Sequence, residues 1–101
     1  MKHMPDIQFE WDSVKAKANL RKHGVAFEEA ETVFSDDLAL LIDDPDHSDD
    51  EERFVLLGLS TAPRILAVVH AHRSAPDTIR IISARKATKS ERTTYVKRPR
   101  P

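Results

Sequence analysis

Three apolar segments follow one another in the second half of the chain with little between them: R-F-V-L-L-G-L at 53–59, R-I-L-A-V-V-H-A-H at 64–72 and T-I-R-I-I-S-A at 78–84. All three are rich in branched or aromatic residues and bounded by turn formers, the composition of strands. The connectors S-T-A-P and R-S-A-P-D are too short for a crossover between parallel strands, which takes a dozen or more residues. They suit hairpins, so the segments predict an antiparallel meander. Any fold for this chain has to be built around it.

The first half supplies what packs on that sheet. I-Q-F-E-W at 7–11 alternates apolar and polar residues as a short strand does. Asp12 is placed to cap a helix over 13–23, with Val14, Ala18 and Leu20 available to the core. Gly24 then serves as the left-handed C′ residue, in a Schellman arrangement that brings Leu20 against Val25. Lys22 and His23 fall in the last turn, where the helix dipole favours cations. A second helix, F-E-E-A-E-T-V-F at 27–34, puts Phe27, Ala30, Val33 and Phe34 at helical spacing and closes at Ser35-Asp36-Asp37. Residues 38–42 read as another short strand. Beyond the meander the chain is expected to turn at Ser83-Ala84-Arg85 and to start a basic helix near Thr88, with Glu91 completing a capping box. Two helices on an antiparallel sheet, followed by a C-terminal helix, make an α+β domain over 1–96. The remainder, 97–101, is expected to be a disordered basic tail.

Composition removes several classes of function. The 101 residues include no cysteine, which excludes disulfides, thiolate zinc sites and cysteine nucleophiles. No apolar run approaches the roughly 18 residues of a membrane span, and M-K-H-M-P-D lacks the apolar core of a secretion signal. A cytoplasmic protein is expected. Its net charge of −1 hides an asymmetry. The stretch 43–52, D-D-P-D-H-S-D-D-E-E, is acidic, whereas 85–101 carries Arg85, Lys86, Lys89, Arg92, Lys97, Arg98 and Arg100 against Glu91 alone. Such a division describes two differently charged binding surfaces or two solvated ones.

The acidic stretch lacks the central glycine of a calcium loop and its carboxylates are adjacent rather than alternating, so no metal site is read there. His70 and His72 share one side of their strand, too few ligands for zinc. His70 reads as a strand histidine with a satisfied hydrogen bond or, less simply, as an acid–base group. The arginines are more specific. On a regular strand Ile79, Ile81, Ser83 and Arg85 share one face, and Arg80 lies on the other with Ile82 and Ala84. Arg53 opens the neighbouring segment on the side of Val55 and Leu57. Arg85 and Arg53 at two strand ends would clamp one phosphate, guanidinium geometry being suited to bidentate contact. Strand-end arginines also pair with carboxylates such as Glu52, and the residues alone leave both readings open.

Taken in order, F-E-W-D, K-A-N-L-R-K-H-G-V with F-E-E-A, E-E-R-F-V, V-V-H and I-R-I-I-S-A-R-K-A-T-K-S-E-R-T-T-Y resemble the BrnT family of bacterial type II toxins. The resemblance runs from Phe9 to about Tyr95. It implies a RelE-like fold and an endoribonuclease that arrests growth. It also implies a hetero-oligomer with a small BrnA antitoxin, whose DNA-binding domain carries the complex to its operator. Arg53, Arg85, Glu91 and Arg92 fit the family pattern, with Tyr95 after them. Where relatives often follow that tyrosine with an acidic residue, this chain has Val96.

RNA cleavage without a metal or cofactor uses the adjacent 2′-hydroxyl as nucleophile and needs a base, a proton for the leaving oxygen, and cations for the phosphate. The expected catalytic set is Arg85 and Arg53 on the phosphate, with Glu91, Tyr95 or His70 moving protons. Lys86, Lys89, Arg92 and Arg80 are expected to hold RNA. The competing reading is a catalytically inactive module that only binds its antitoxin in operon autoregulation. A direct DNA-binding regulator is disfavoured because no helix-turn-helix signature is visible. The basic C-terminal helix is a candidate surface for an acidic antitoxin segment.

Overall fold

A computed structural model describes residues 7–43, 52–73 and 77–98. The elements run β1 (Gln8–Glu10), α1 (Ser13–His23), α2 (Phe27–Thr32) with a 3₁₀ turn at Val33–Ser35, β2 (Leu40–Asp43), β3 (Phe54–Leu59), β4 (Ile65–His72), β5 (Thr78–Lys86) and α3 (Lys89–Lys97). The meander forms as its connectors require, β2, β3, β4 and β5 pairing antiparallel in succession. The sheet is nevertheless mixed. Its order is β1-β5-β4-β3-β2, and β1 adds to β5 in parallel, Phe9 beside Ile79. Helices α1 and α2 carry the chain from β1 to β2 at the far edge, and the meander brings it back to β5, so ample chain separates the parallel pair. None of the described helices is long and apolar enough to cross a membrane.

The caps are where local chemistry places them. Asp12 Oδ1 accepts from the amides of Val14 and Lys15 at 2.8 and 3.1 Å, and Gly24 ends α1 at φ 70°. The Gly24 N–H donates to Leu20 O at 2.8 Å, the single-bond αL form of the cap rather than the Schellman pair. The core assignment of α1 does not hold. Val14 and Leu20 are 74% and 51% exposed and Ala18 is exposed, while Ala16, Asn19 and His23 turn inward.

The reason lies in Asn19, 7% exposed. Its Nδ2 donates to Val25 O at 2.9 Å and Ala84 O at 2.8 Å, and its Oδ1 accepts from Ala84 N at 3.1 Å. Helix α1 thus docks by bonding to the backbone of β5 as well as by apolar burial. Val25, Phe27, Ala30 and Val33 pack from the helix side onto Leu66, Val68, Ile81 and Ala84. The opposite face of the sheet has its own cluster, Val55, Leu57 and Ala67 with Leu40, Ile42 and Val69.

Most of the acidic stretch, 44–51, and most of the predicted tail, 99–101, lie outside the described residues. Of the expected tail, Lys97 is the last residue of α3. Arg98 is half-buried, its guanidinium 5.9 Å from the Tyr95 ring centroid.

Candidate functional site

The sheet face away from α1 and α2 holds most of the arginines singled out in the sequence. A bulge decides this. Val69 faces Ser83 but His70 faces Ile81, so Ile82 is an extra residue on β5 with no partner on β4. A residue inserted this way reverses the alternation beyond it. Ile79, Ile81 and Ala84 therefore point to the helices, being 7%, 2% and 0% exposed. Arg80, Ser83 and Arg85 lie on the other face, opposite Ala71, Val69 and Ala67 of β4. The expected split of Arg80 from Arg85 is thus incorrect. The expected turn at Ser83-Ala84-Arg85 is also absent: β5 continues to Lys86, and Arg85 is a strand residue.

Arg53 precedes Val55 by two and continues the same side of β3, which places it next to Ala71 and across from Arg80. Its Nε is buried with no hydrogen-bond partner among the described residues. Arg85 stands at the far end of the face. Four residues of β4, Ala67 to Ala71, separate the two rows, about 13 Å along the strand at roughly 3.3 Å per residue, and two strand spacings add about 10 Å across. Arg53 and Arg85 therefore do not form the single-phosphate clamp expected from the sequence. Arg53 and Arg80 flank small Ala71 at one end, and Arg85 occupies the other.

Arg85 is held from α3. Its Nη1 and Nη2 donate to Glu91 Oε1 and Oε2 at 2.7 and 3.0 Å, a fork-to-fork pair. Glu91 is where it is because of the capping box: Thr88 N donates to Oε1 at 2.9 Å and Glu91 N donates to Thr88 Oγ1 at 3.1 Å. The Arg85 hydrogen bond, against the opposing effect of burial, holds the Glu91 carboxyl down to about 2 from its ordinary 4.5, with the Thr88 amide assisting. A carboxylate so stabilised is a weak base. The side chains of Arg85 and Glu91 remain 36% and 20% exposed, so the pair still meets solvent.

The other expected site residues are dispersed. Tyr95 is 7% exposed, and its hydroxyl donates to Asp36 Oδ2 at 2.6 Å. That carboxylate also accepts from Leu59 N and Leu38 N. Burial pushes the Asp36 carboxyl up, but the bonds from Leu59, Tyr95 and Leu38 and the nearby Arg98 charge outweigh it and leave it lowered. Tyr95 thus ties α3 to the segment before β2. His70 is 1% exposed on the helix side, its ring 4.9 Å from Phe34 and 6.1 Å from Phe54 between centroids. Desolvation lowers its pKa, against the hydrogen bond to Val68 O and with help from His72. Lys86, paired with Leu66, is exposed and alternates onto the helix side of β5, the face opposite Arg85. Lys89 and Arg92 are exposed on α3, and Arg92 Nη1 donates to Ala87 O at 2.9 Å.

Two polar constellations had no place in the sequence reading. One is Asn19, which the N-L-R-K-H-G-V motif contains and which helical periodicity passes over as a surface residue. The other joins α2 to the β3–β4 hairpin. Arg64 donates from Nε and Nη2 to both oxygens of Glu29 at 2.8 and 2.7 Å and from Nη2 to Gly24 O at 2.9 Å, and Ser60 Oγ donates to Glu29 Oε2 at 2.6 Å. Arg64 holds the Glu29 carboxyl below its usual range, against burial and with Ser60. Both constellations are structural ties.

The family model described as ribonuclease toxin, BrnT, of type II toxin–antitoxin system matches residues 11–91. Among solved structures, the crystal structure of the Brucella abortus ribonuclease toxin, BrnT, is similar. It is 26% identical with a TM-score of 0.62, over 83% of this chain and 100% of that one. No curated protein matches.

Proposed function

Because the chain belongs to the BrnT family of ribonuclease toxins of type II toxin–antitoxin systems, we propose that it cleaves RNA on the arginine face of its sheet. The observation that carries this is the bulge at Ile82, which puts Arg80 and Arg85 on one face, with Arg53 across Ala71. Guanidiniums in a row along a rigid sheet hold successive phosphates of one strand, whereas solvated cations scatter.

The reaction is attack of a ribose 2′-oxygen on the adjacent phosphorus, with loss of the 5′-oxygen, giving a 2′,3′-cyclic phosphate and a 5′-hydroxyl. Negative charge builds on the non-bridging oxygens, and Arg85, half-exposed and fixed in place, meets it without metal or cofactor. Glu91 is a positioning residue: with its carboxyl near 2 it fixes the guanidinium and takes no proton. Tyr95 and His70 are committed elsewhere. Water carries the 2′-hydroxyl proton away and delivers one to the leaving oxygen. Arg80 and Arg53 bind the flanking phosphates, and Lys86, which alternates onto the opposite face of β5 from Arg85, stands outside that path.

The α+β architecture is read as a RelE-like variant, and the partner as a BrnA-like antitoxin forming a hetero-oligomer in the cytoplasm. Operator DNA is contacted through the antitoxin. Although α1 and α2 are joined by a tight turn, α2 carries Glu28, Glu29 and Glu31, which phosphates repel.

Purified protein incubated with RNA in EDTA tests the reading. Cleavage with cyclic-phosphate ends is expected, and Arg85→Ala is expected to lower the rate by about 10²–10³-fold, the usual effect of losing one oxyanion donor. The fork of Glu91 on Arg85 is the one observation favouring an inactive antitoxin-binding module. Absence of cleavage over a wide protein range would establish that alternative.

A further inference from the structure

Helix α3 has two working faces. Glu91 and Tyr95 point inward, to Arg85 and Asp36. Lys89, Arg92, Thr93, Val96 and Lys97 recur at three- and four-residue intervals and form one outward stripe. Together with Ile65 they line an open groove of about 440 Å³. Val96 is 56% exposed in it, an apolar side chain flanked by Lys89, Arg92 and Lys97. No carboxylate lines the groove among the described residues.

We propose that this groove seats an acidic amphipathic helix of the antitoxin. The proposal rests on the toxin–antitoxin reading and deepens it. An apolar side chain of the partner settles on Ile65 and Val96, while carboxylates on the flanks of the same helix meet Lys89, Arg92 and Lys97. Helix-in-groove binding uses anchors at i, i+3 or i+4, and i+7 or i+8, and the stripe from Lys89 to Lys97 repeats at that spacing over about 12 Å. The chemistry favours protein over RNA. Single-stranded RNA binds by stacking on aromatic rings beside its phosphate contacts, and this groove is floored by aliphatic groups. A partner seated here also lies one helix diameter, about 10 Å, from the Arg85–Glu91 pair on the inner face. Its acidic chain would oppose RNA phosphates at the mouth of the cleavage site. Inhibition then needs no contact with Arg85 itself.

The test uses the full-length protein and the purified antitoxin encoded beside it. Titration calorimetry compares the wild type with Val96→Glu, Lys97→Glu and, as a charge change equal to that of Lys97→Glu on exposed α1, Lys15→Glu. Val96→Glu and Lys97→Glu are expected to weaken antitoxin binding at least tenfold at physiological salt. Their RNA cleavage and thermal midpoint are expected to match the wild type. Lys15→Glu is expected to bind as the wild type does. Unchanged affinity in the two α3 variants, with wild-type binding intact, overturns the groove and leaves the toxin–antitoxin reading standing. A loss of RNA cleavage in step with the loss of antitoxin binding reassigns the groove to RNA and likewise overturns it. A wild-type chain that does not bind the antitoxin overturns both.

Discussion

Replacing Glu91 by Gln isolates the ion pair that holds Arg85. Gln at this position of a capping box still accepts from the Thr88 amide, so the change removes the charge and leaves the cap. The folded-state pKa of Glu91 is depressed, from 4.5 to about 2. Its contribution is therefore fully present above the unfolded value and is lost as pH falls through the folded one. Taken at face value the shift is about 3 kcal/mol, at 1.36 kcal/mol per unit. Arg85 is 36% exposed, and solvent screening brings the expected contribution down to about 1–2 kcal/mol. For a chain this size that is a fall of roughly 5–15 °C in thermal midpoint. Unfolding followed by circular dichroism from pH 7 to pH 2 should show Glu91→Gln less stable by this amount above pH 5. The difference should shrink between pH 4.5 and 2. Glu29 and Asp36 also lose stabilisation with acid, since both are lowered, but they do so in both proteins and cancel in the comparison. A gap that persists unchanged to pH 2, or no gap at neutral pH, would refute the assigned ion pair.

Asn19→Ala leaves the buried Ala84 N–H and the Val25 and Ala84 carbonyls without their partner. A loss of about 3 kcal/mol is expected, built from stranded groups at roughly 1–3 kcal/mol each with partial relaxation, and urea denaturation measures it. Asn19→Asp restores only the acceptor, so it should remain as unstable at neutral pH. Tyr95→Phe loses the bond to Asp36, and about 1–2 kcal/mol of stability with it. RNA cleavage by the refolded variant should stay within a few-fold of wild type, and a hundredfold loss of rate would restore Tyr95 to the proton-transfer role.

What was legible in the sequence is what short-range chemistry determines. Asp12, Gly24 and the Thr88–Glu91 box act on amides within four residues, so type and spacing suffice to place them. The antiparallel meander followed from connector length. Three features depended on distant partners and were not legible. Nothing in I-R-I-I-S-A-R marks Ile82 as the bulged residue, because the bulge arises from register against β4 and no Gly or Pro is needed there. The parallel attachment of β1 depends on β5 arriving beside it only after two helices and three other strands. Helix α1 was misoriented because apolar periodicity assumes burial by greasy contact alone, and Asn19 also docks it by hydrogen bonds to β5. The first of these errors mattered most for the site, since it separated Arg80 from Arg85.

The central claim is that Arg80 works on the same RNA strand as Arg85. The most direct test is the salt dependence of RNA cleavage, kcat/KM against salt concentration in EDTA, for wild type and Arg80→Ala. Each phosphate contact contributes about 0.7 to the log–log slope for a single strand. Arg80→Ala should therefore cleave more slowly at low salt and show a slope shallower by about 0.7. A variant with the wild-type rate and the wild-type slope would contradict the arginine face as the RNA site.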